Sequence, residues 1–125
     1  MLIYPMLDDR TRIPDSHLVR WMGWTYANNS VAWDAVTEGV KDPSQYASAA
    51  RADTLAGLPR TYLDCGELDV FRHEILTYAS RLTAEGVSTA FHMYPGVPHG
   101  SELVAPQIAV SRRALQSRID FLRKL

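Results

Sequence analysis

The sequence predicts an α/β fold, a parallel sheet of about three strands with flanking helices, built as a single domain. Three observations point there. After Pro59 the chain twice alternates a short strand pattern with a longer helical one, the order of consecutive βα units and so of a parallel sheet with right-handed crossovers. The opening residues, Met1 to Leu7, hold a nearly continuous apolar run, as a buried parallel strand requires. A chain of 125 residues that is 46% hydrophobic and 22% charged has enough apolar side chain for one core and no more.

Taken in order, Met1 to Leu7 reads as a strand buried on both faces and ended by Asp8-Asp9-Arg10. A core strand at the very start has no lead-in and an unpaired edge. The reading frame is therefore expected to extend upstream, and the edge to favour self-association. Leu18, Trp21, Met22 and Tyr26 fall at helical spacing, and Ser30 is placed to cap a second helix that runs through Val36 and stops near Gly39. Lys41 to Pro59, broken by Pro43 and Pro59, reads as irregular cover. Thr61 to Cys65 is the next strand and Gly66 to Asp69 its turn, after which Phe71, Ile75, Tyr78, Ala79 and Leu82 mark one face of a helix that Gly86 closes. Thr89 to Tyr94 alternates as a strand and Pro95 to Gly100 turns. Val104, Ile108, Leu115, Ile119 and Leu122 then read as the buried stripe of a terminal helix whose arginines, Arg112, Arg113, Arg118 and Arg123, form a solvated face.

Composition removes several function classes. With 13 basic and 14 acidic residues the net charge is −1, so no long-range field draws the chain to nucleic acid. The opening apolar run is too short for a signal peptide and lacks a basic flank and a small-residue cleavage site. No apolar stretch approaches the ~20 residues that span a bilayer, and membrane insertion is not expected. Cys65 is the only cysteine; in its apolar run it reads as a small buried thiol, compatible with a reducing compartment, and a cytoplasmic location is expected. His17, His73 and His92 lack metal-ligand spacing, and there is no glycine-rich phosphate loop, so neither metal nor cofactor is expected. Asp8 and Asp9 are adjacent in an extended segment and point to opposite sides, which suits a strand end better than a catalytic pair. Trp21, Trp24 and Trp33 read as core, with the wall of a ligand pocket as the alternative.

In an open parallel sheet, ligands gather beyond the carboxyl ends of the strands. Two turns leave those ends here, Gly66-Glu67-Leu68-Asp69 and Pro95-Gly96-Val97-Pro98-His99-Gly100. One presents a carboxylate and the other an imidazole, from strands that the βα repeat makes neighbours. An acid orienting an imidazole that serves as base to a hydroxyl is the generalised triad arrangement. Each residue also has a plainer reading, Asp69 as the cap of the following helix and His99 as a solvated loop histidine.

The segments GELDVFRHE (Gly66 to Glu74) and YPGVPHG (Tyr94 to Gly100) resemble the acid and histidine motifs of the hormone-sensitive-lipase-like esterases, the α/β-hydrolase fold-3 group. YPMLDDR (Tyr4 to Arg10), WTYANN (Trp24 to Asn29), GLPRTYLDCGELD (Gly57 to Asp69) and VSRRAL (Val110 to Leu115) look like successive segments of the carboxyl-terminal portion of such enzymes. The resemblance implies that Asp69 and His99 are the triad acid and histidine, that the three strands match the last three of an eight-stranded sheet, and that the substrate is a small acyl ester. The chain departs from the family in two respects. The family's serine stands in a GxSxG elbow, with oxyanion donors from an HGGG-type loop, and neither occurs here. No serine has glycine at both −2 and +2; Ser101, two residues past His99, has no elbow. Residues 1–125 are therefore expected to form a partial α/β-hydrolase domain, the carboxyl-terminal fragment of a serine esterase or lipase, inactive alone. The alternative is a non-catalytic interaction or scaffold module derived from that fold.

Overall fold

The computed structural model describes residues 1–21 and 23–124. Three parallel strands lie in the order β1-β2-β3, with β1 at Leu2–Ile3, β2 at Thr61–Gly66 and β3 at Thr89–Tyr94. The helices are α1 (Tyr26–Thr37), α2 (Arg72–Ala84), α3 (Ser101–Val104) and α4 (Ala109–Leu122), with a 3-10 turn at Ala49–Arg51. The expected α/β class and the two consecutive βα units are present.

Alternation along β2 assigns the two sides of the sheet. Leu63 and Cys65 join Val70, Phe71, Ile75, Tyr78, Ala79 and Leu82 in the main core beneath α2. Tyr62 and Asp64 face α4, where Phe121 lies 5.3 Å from the Tyr62 ring and Arg118 meets Asp64. Burial on both faces explains why TYLDCG is nearly unbroken in apolar character apart from Asp64. β2 and β3 pair over their full length, Thr61 with Thr89 through Gly66 with Tyr94, so the turns that follow them emerge side by side.

Four expectations are corrected. β1 pairs only through Leu2 and Ile3, and Ile3 is 37% exposed, so the run is not a doubly buried strand. Its ladder ends because Tyr4 takes a positive φ of 33° and Pro5 has no N–H to donate. The helix expected over Leu18 to Tyr26 is a set of turns started by Asp15, whose carbonyl accepts from Leu18 and Val19; Met22 lies outside the described residues. The following helix is capped by Thr25 and not by Ser30: Thr25 Oγ1 accepts the Asn28 N–H and Asn28 Oδ1 accepts the Thr25 N–H, a reciprocal capping box. In α4 the expected apolar stripe faces outward and Arg118 inward, while Arg112, Arg113 and Arg123 are exposed as expected. Ser111, Ala114, Arg118 and Phe121 are buried, while Ile108, Leu115, Ile119 and Leu122 are 38–53% exposed. Arg118 turns inward because Asp64 is buried in the strand opposite and needs a cation.

Glu74, on α2, clamps the segment after β1. Its Oε1 accepts the Leu7 N–H at 2.6 Å and the Asp8 N–H at 3.2 Å, while Oε2 is buried with no partner among the described residues. Burial lifts this carboxyl from its ordinary 4.5 to about 7, against the opposing pull of the two amides. A carboxyl whose folded pKa is raised favours folding most in its protonated form. Its contribution is complete below about pH 4.5 and is lost as pH rises through about 7, a change of about 3 kcal/mol. Glu74→Gln keeps the acceptor and cannot ionise, so urea unfolding at pH 5 and pH 8 is expected to show a smaller pH dependence in the variant. Parallel wild-type and variant slopes would remove Glu74 as the cause.

Candidate active site

The two turns that leave β2 and β3 are joined by hydrogen bonds before any side-chain chemistry is considered. Glu67 N–H donates to the Tyr94 carbonyl at 2.9 Å, Leu68 N–H to the Val97 carbonyl at 3.0 Å, and Gly96 N–H to Glu67 Oε2 at 2.8 Å. Gly66 permits the approach: a Cβ there would stand 2.0 Å from the Val97 carbonyl oxygen and 2.7 Å from its carbon. Gly96 and Gly100 turn the second loop with φ of 68° and 66°, values natural only to residues without Cβ.

Within this frame Asp69 and His99 meet. Asp69 is fully buried; its Oδ1 accepts the Phe71 N–H at 3.0 Å and its Oδ2 lies 2.9 Å from His99 Nδ1. Asp69 is not the cap of α2, whose N-cap is Phe71 without a side-chain bond; the Asp69 carboxylate instead closes a turn on the Phe71 N–H ahead of the helix while its second oxygen takes the imidazole. The His99 ring packs edge-on to Tyr4 at 4.5 Å and to Phe71 at 5.4 Å. Its side chain keeps 24% of its surface open. With Nδ1 engaged, Nε2 is the ring nitrogen left to exchange a proton.

Below this pair lies a buried ionic group that periodicity alone assigns to solvent. Arg118 donates from Nε to Asp64 Oδ2 at 2.6 Å, from Nη2 to Asp64 Oδ1 at 3.2 Å, and from Nη1 to Glu102 Oε1 at 2.5 Å. The Tyr62 hydroxyl donates to Asp64 Oδ2 at 2.8 Å. Burial pushes the Glu102 carboxyl up, but Arg118 more than offsets that and holds it below its ordinary range. Arg118 itself is held above its ordinary value, the two carboxylates outweighing its own desolvation. The sequence signal was present in Asp64, a carboxylate inside a buried strand.

The other candidates separate from the pair. Cys65 is buried, and desolvation followed by the charges of Asp69 and Asp64 pushes its thiol up to about 12, the opposite of an activated nucleophile. Ser101 begins α3. Asp8 pairs with Arg10 and Asp9 with Arg51, as parts of a turn. His73 shares Asp15 with Arg72 at the surface, and His92 stacks between Tyr62 and Tyr94. Trp33 is core and Trp24 packs against the core, while Trp21 is 54% exposed. Among the described residues no helix is long and apolar enough to cross a membrane.

The fold has counterparts in known proteins. A family profile described as alpha/beta hydrolase fold matches residues 1–103. Among solved structures, a bacterial heroin esterase is 37% identical with a TM-score of 0.86, over 98% of this chain and 41% of its own. The esterase LipW from Mycobacterium marinum is 36% identical with a TM-score of 0.79, over 90% of this chain and 36% of its own. A thermostable esterase from Pseudomonas putida is 27% identical with a TM-score of 0.78, over 92% and 38%. The chain thus spans well under half the length of these esterases. No curated protein matches. With four fifths of its residues inside the family profile and more than a third identical to each of two esterases, the chain belongs to the alpha/beta hydrolase fold family.

Proposed function

We propose that Asp69 and His99 are the acid and base of a serine-hydrolase triad, and that residues 1–125 are the carboxyl-terminal portion of an acyl-ester hydrolase domain. The observation that carries this reading is the 2.9 Å contact between His99 Nδ1 and a fully buried Asp69 oxygen, with the imidazole partly open to solvent. A buried carboxylate so placed fixes the tautomer with the proton on Nδ1 and stabilises the imidazolium formed during turnover. The nucleophile comes from a complementary segment bearing GxSxG. Its hydroxyl oxygen attacks the ester carbonyl carbon as His99 Nε2 takes the hydroxyl proton. That proton then passes to the departing alcohol, and water releases the acyl group by the same route. The similarity to esterases supports a small acyl ester as substrate.

The test is hydrolysis of a short-chain p-nitrophenyl ester by this chain alone and by the chain mixed with an amino-terminal half carrying GxSxG. Activity is expected only in the mixture and only while His99 is present, so His99→Ala abolishes it. Turnover by the chain alone that persists in Ser101→Ala would overturn the assignment of the nucleophile to another segment. The alternative, an interaction module, draws on the outward apolar stripe of α4 and on Leu103 and Val104, 78% and 87% exposed. A mixture that forms a stable complex yet stays inactive would favour it.

A further inference from the structure

Tyr4 has a backbone conformation that its side chain makes costly. Among the described residues only Tyr4 and Glu38 combine a Cβ with a positive φ. Glu38 does so as the left-handed cap of α1, an ordinary place for it. Tyr4 does so at the end of a strand, held by the bond from its N–H to the Asp64 carbonyl at 2.8 Å. Such conformations persist where the surroundings over-determine them, and they gather at functional sites.

The conformation places the Tyr4 ring between the His99 imidazole and the Arg118 guanidinium. One side makes the 4.5 Å T-shaped contact with His99, and the guanidinium of Arg118 stands 5.5 Å from the ring centroid. Arg118 cannot retreat, being tied to Asp64 on β2 and to Glu102 on α3. Glu102 lies three residues after His99, so the same guanidinium anchors the chain on which the imidazole is carried. A single hydrogen bond to Asp69 fixes which nitrogen is engaged but leaves the ring free to pivot about that bond. Edge contacts with Tyr4 and Phe71 remove the pivot.

We propose that Tyr4, braced by Arg118 against Asp64 and Glu102, is a positioning residue that holds the His99 imidazole with Nδ1 toward Asp69 and Nε2 outward. This rests on the triad reading of Asp69 and His99. A residue that only filled space would be replaceable by any fill; one that orients the imidazole requires a ring.

The experiment is imidazole NMR on the 15N-labelled chain with Tyr4→Gly, Tyr4→Leu and Tyr4→Phe. Glycine suits the positive φ, so its variant removes the ring and relieves the backbone together, and leucine supplies bulk without a ring should the glycine variant fail to fold. Wild type and Tyr4→Phe are expected to show one tautomer, with a slowly exchanging proton on Nδ1. Tyr4→Gly and Tyr4→Leu are expected to lose that proton signal and mix tautomers. In the complemented enzyme the same two variants lower kcat on the order of tenfold to a hundredfold with KM unchanged. A wild-type imidazole signal in Tyr4→Gly or Tyr4→Leu, or its loss in Tyr4→Phe, overturns the role of the ring while leaving the triad reading in place. Absence of the Nδ1 proton in the wild type overturns the Asp69–His99 pairing first, and the inference with it.

Discussion

Gly66→Ala is expected to destabilise the protein by about 3 kcal/mol or more and to part Asp69 from His99. Overpacking a filled site costs roughly 1–3 kcal/mol when side chains can yield. Here the obstruction is backbone, the Val97 carbonyl oxygen at 2.0 Å from the added Cβ, with the Pro98 oxygen at 3.2 Å behind it. Relief requires the second loop to move away from β2. That movement breaks the bond from Leu68 N–H to the same carbonyl, worth about 1 kcal/mol, and carries His99 with it. Urea unfolding reads the stability and the Nδ1 proton of His99 reads the separation. A variant within about 1 kcal/mol of wild type, with that proton intact, would show that the loop yields freely.

Arg118→Met is expected to cost about 3–5 kcal/mol, the usual penalty for stripping one partner from a buried ion pair. Asp64 is fully buried and Glu102 nearly so. Without the guanidinium, Asp64 keeps the Tyr62 hydroxyl as its side-chain donor, and two carboxylates face each other across the space Arg118 filled. The cost belongs to the stranded charge, since replacing a whole buried pair by apolar groups of similar volume is often neutral or better. The double variant Asp64→Leu/Arg118→Met is therefore expected to recover part of the loss in a double-mutant cycle, the remainder staying with Glu102, which keeps its charge without the guanidinium. Equal losses in the single and double variants would show that Arg118 acts by packing alone.

These two sites show unequally how far the sequence could be read. Asp69 and His99 were legible because β2, α2 and β3 follow one another with regular periodicity, and parallel neighbours of equal length deliver their turns to one edge. Gly66 was read as the first residue of the turn but closes β2, and its contact with Val97 depends on how the two loops lie together, which no local pattern encodes. Arg118 was misplaced for a physical reason. Period 3.6 identifies stripes on a helix without saying which stripe meets the sheet, and α4 has an apolar stripe on the side turned away. The deciding partner, Asp64, is 54 residues distant in sequence. The end of β1 was missed because an apolar run carries no mark of the positive φ at Tyr4, although Pro5 one residue later did warn of it. The cap at Thr25 was visible in Thr25-Tyr26-Ala27-Asn28, where asparagine completes the reciprocal box usually closed by an acidic or glutamine side chain.

The hydrogen bonds that join the β2 and β3 turns have a thermodynamic consequence. Immobilising a residue costs roughly 1–2 kcal/mol in conformational entropy, and a loop that ordered itself only around a reacting ester would subtract that amount from binding. In this chain Glu67, Leu68 and Gly96 bind the two turns as part of the sheet. The entropy of placing the His99 imidazole against the Asp69 carboxylate is thus lost once, when the polypeptide folds.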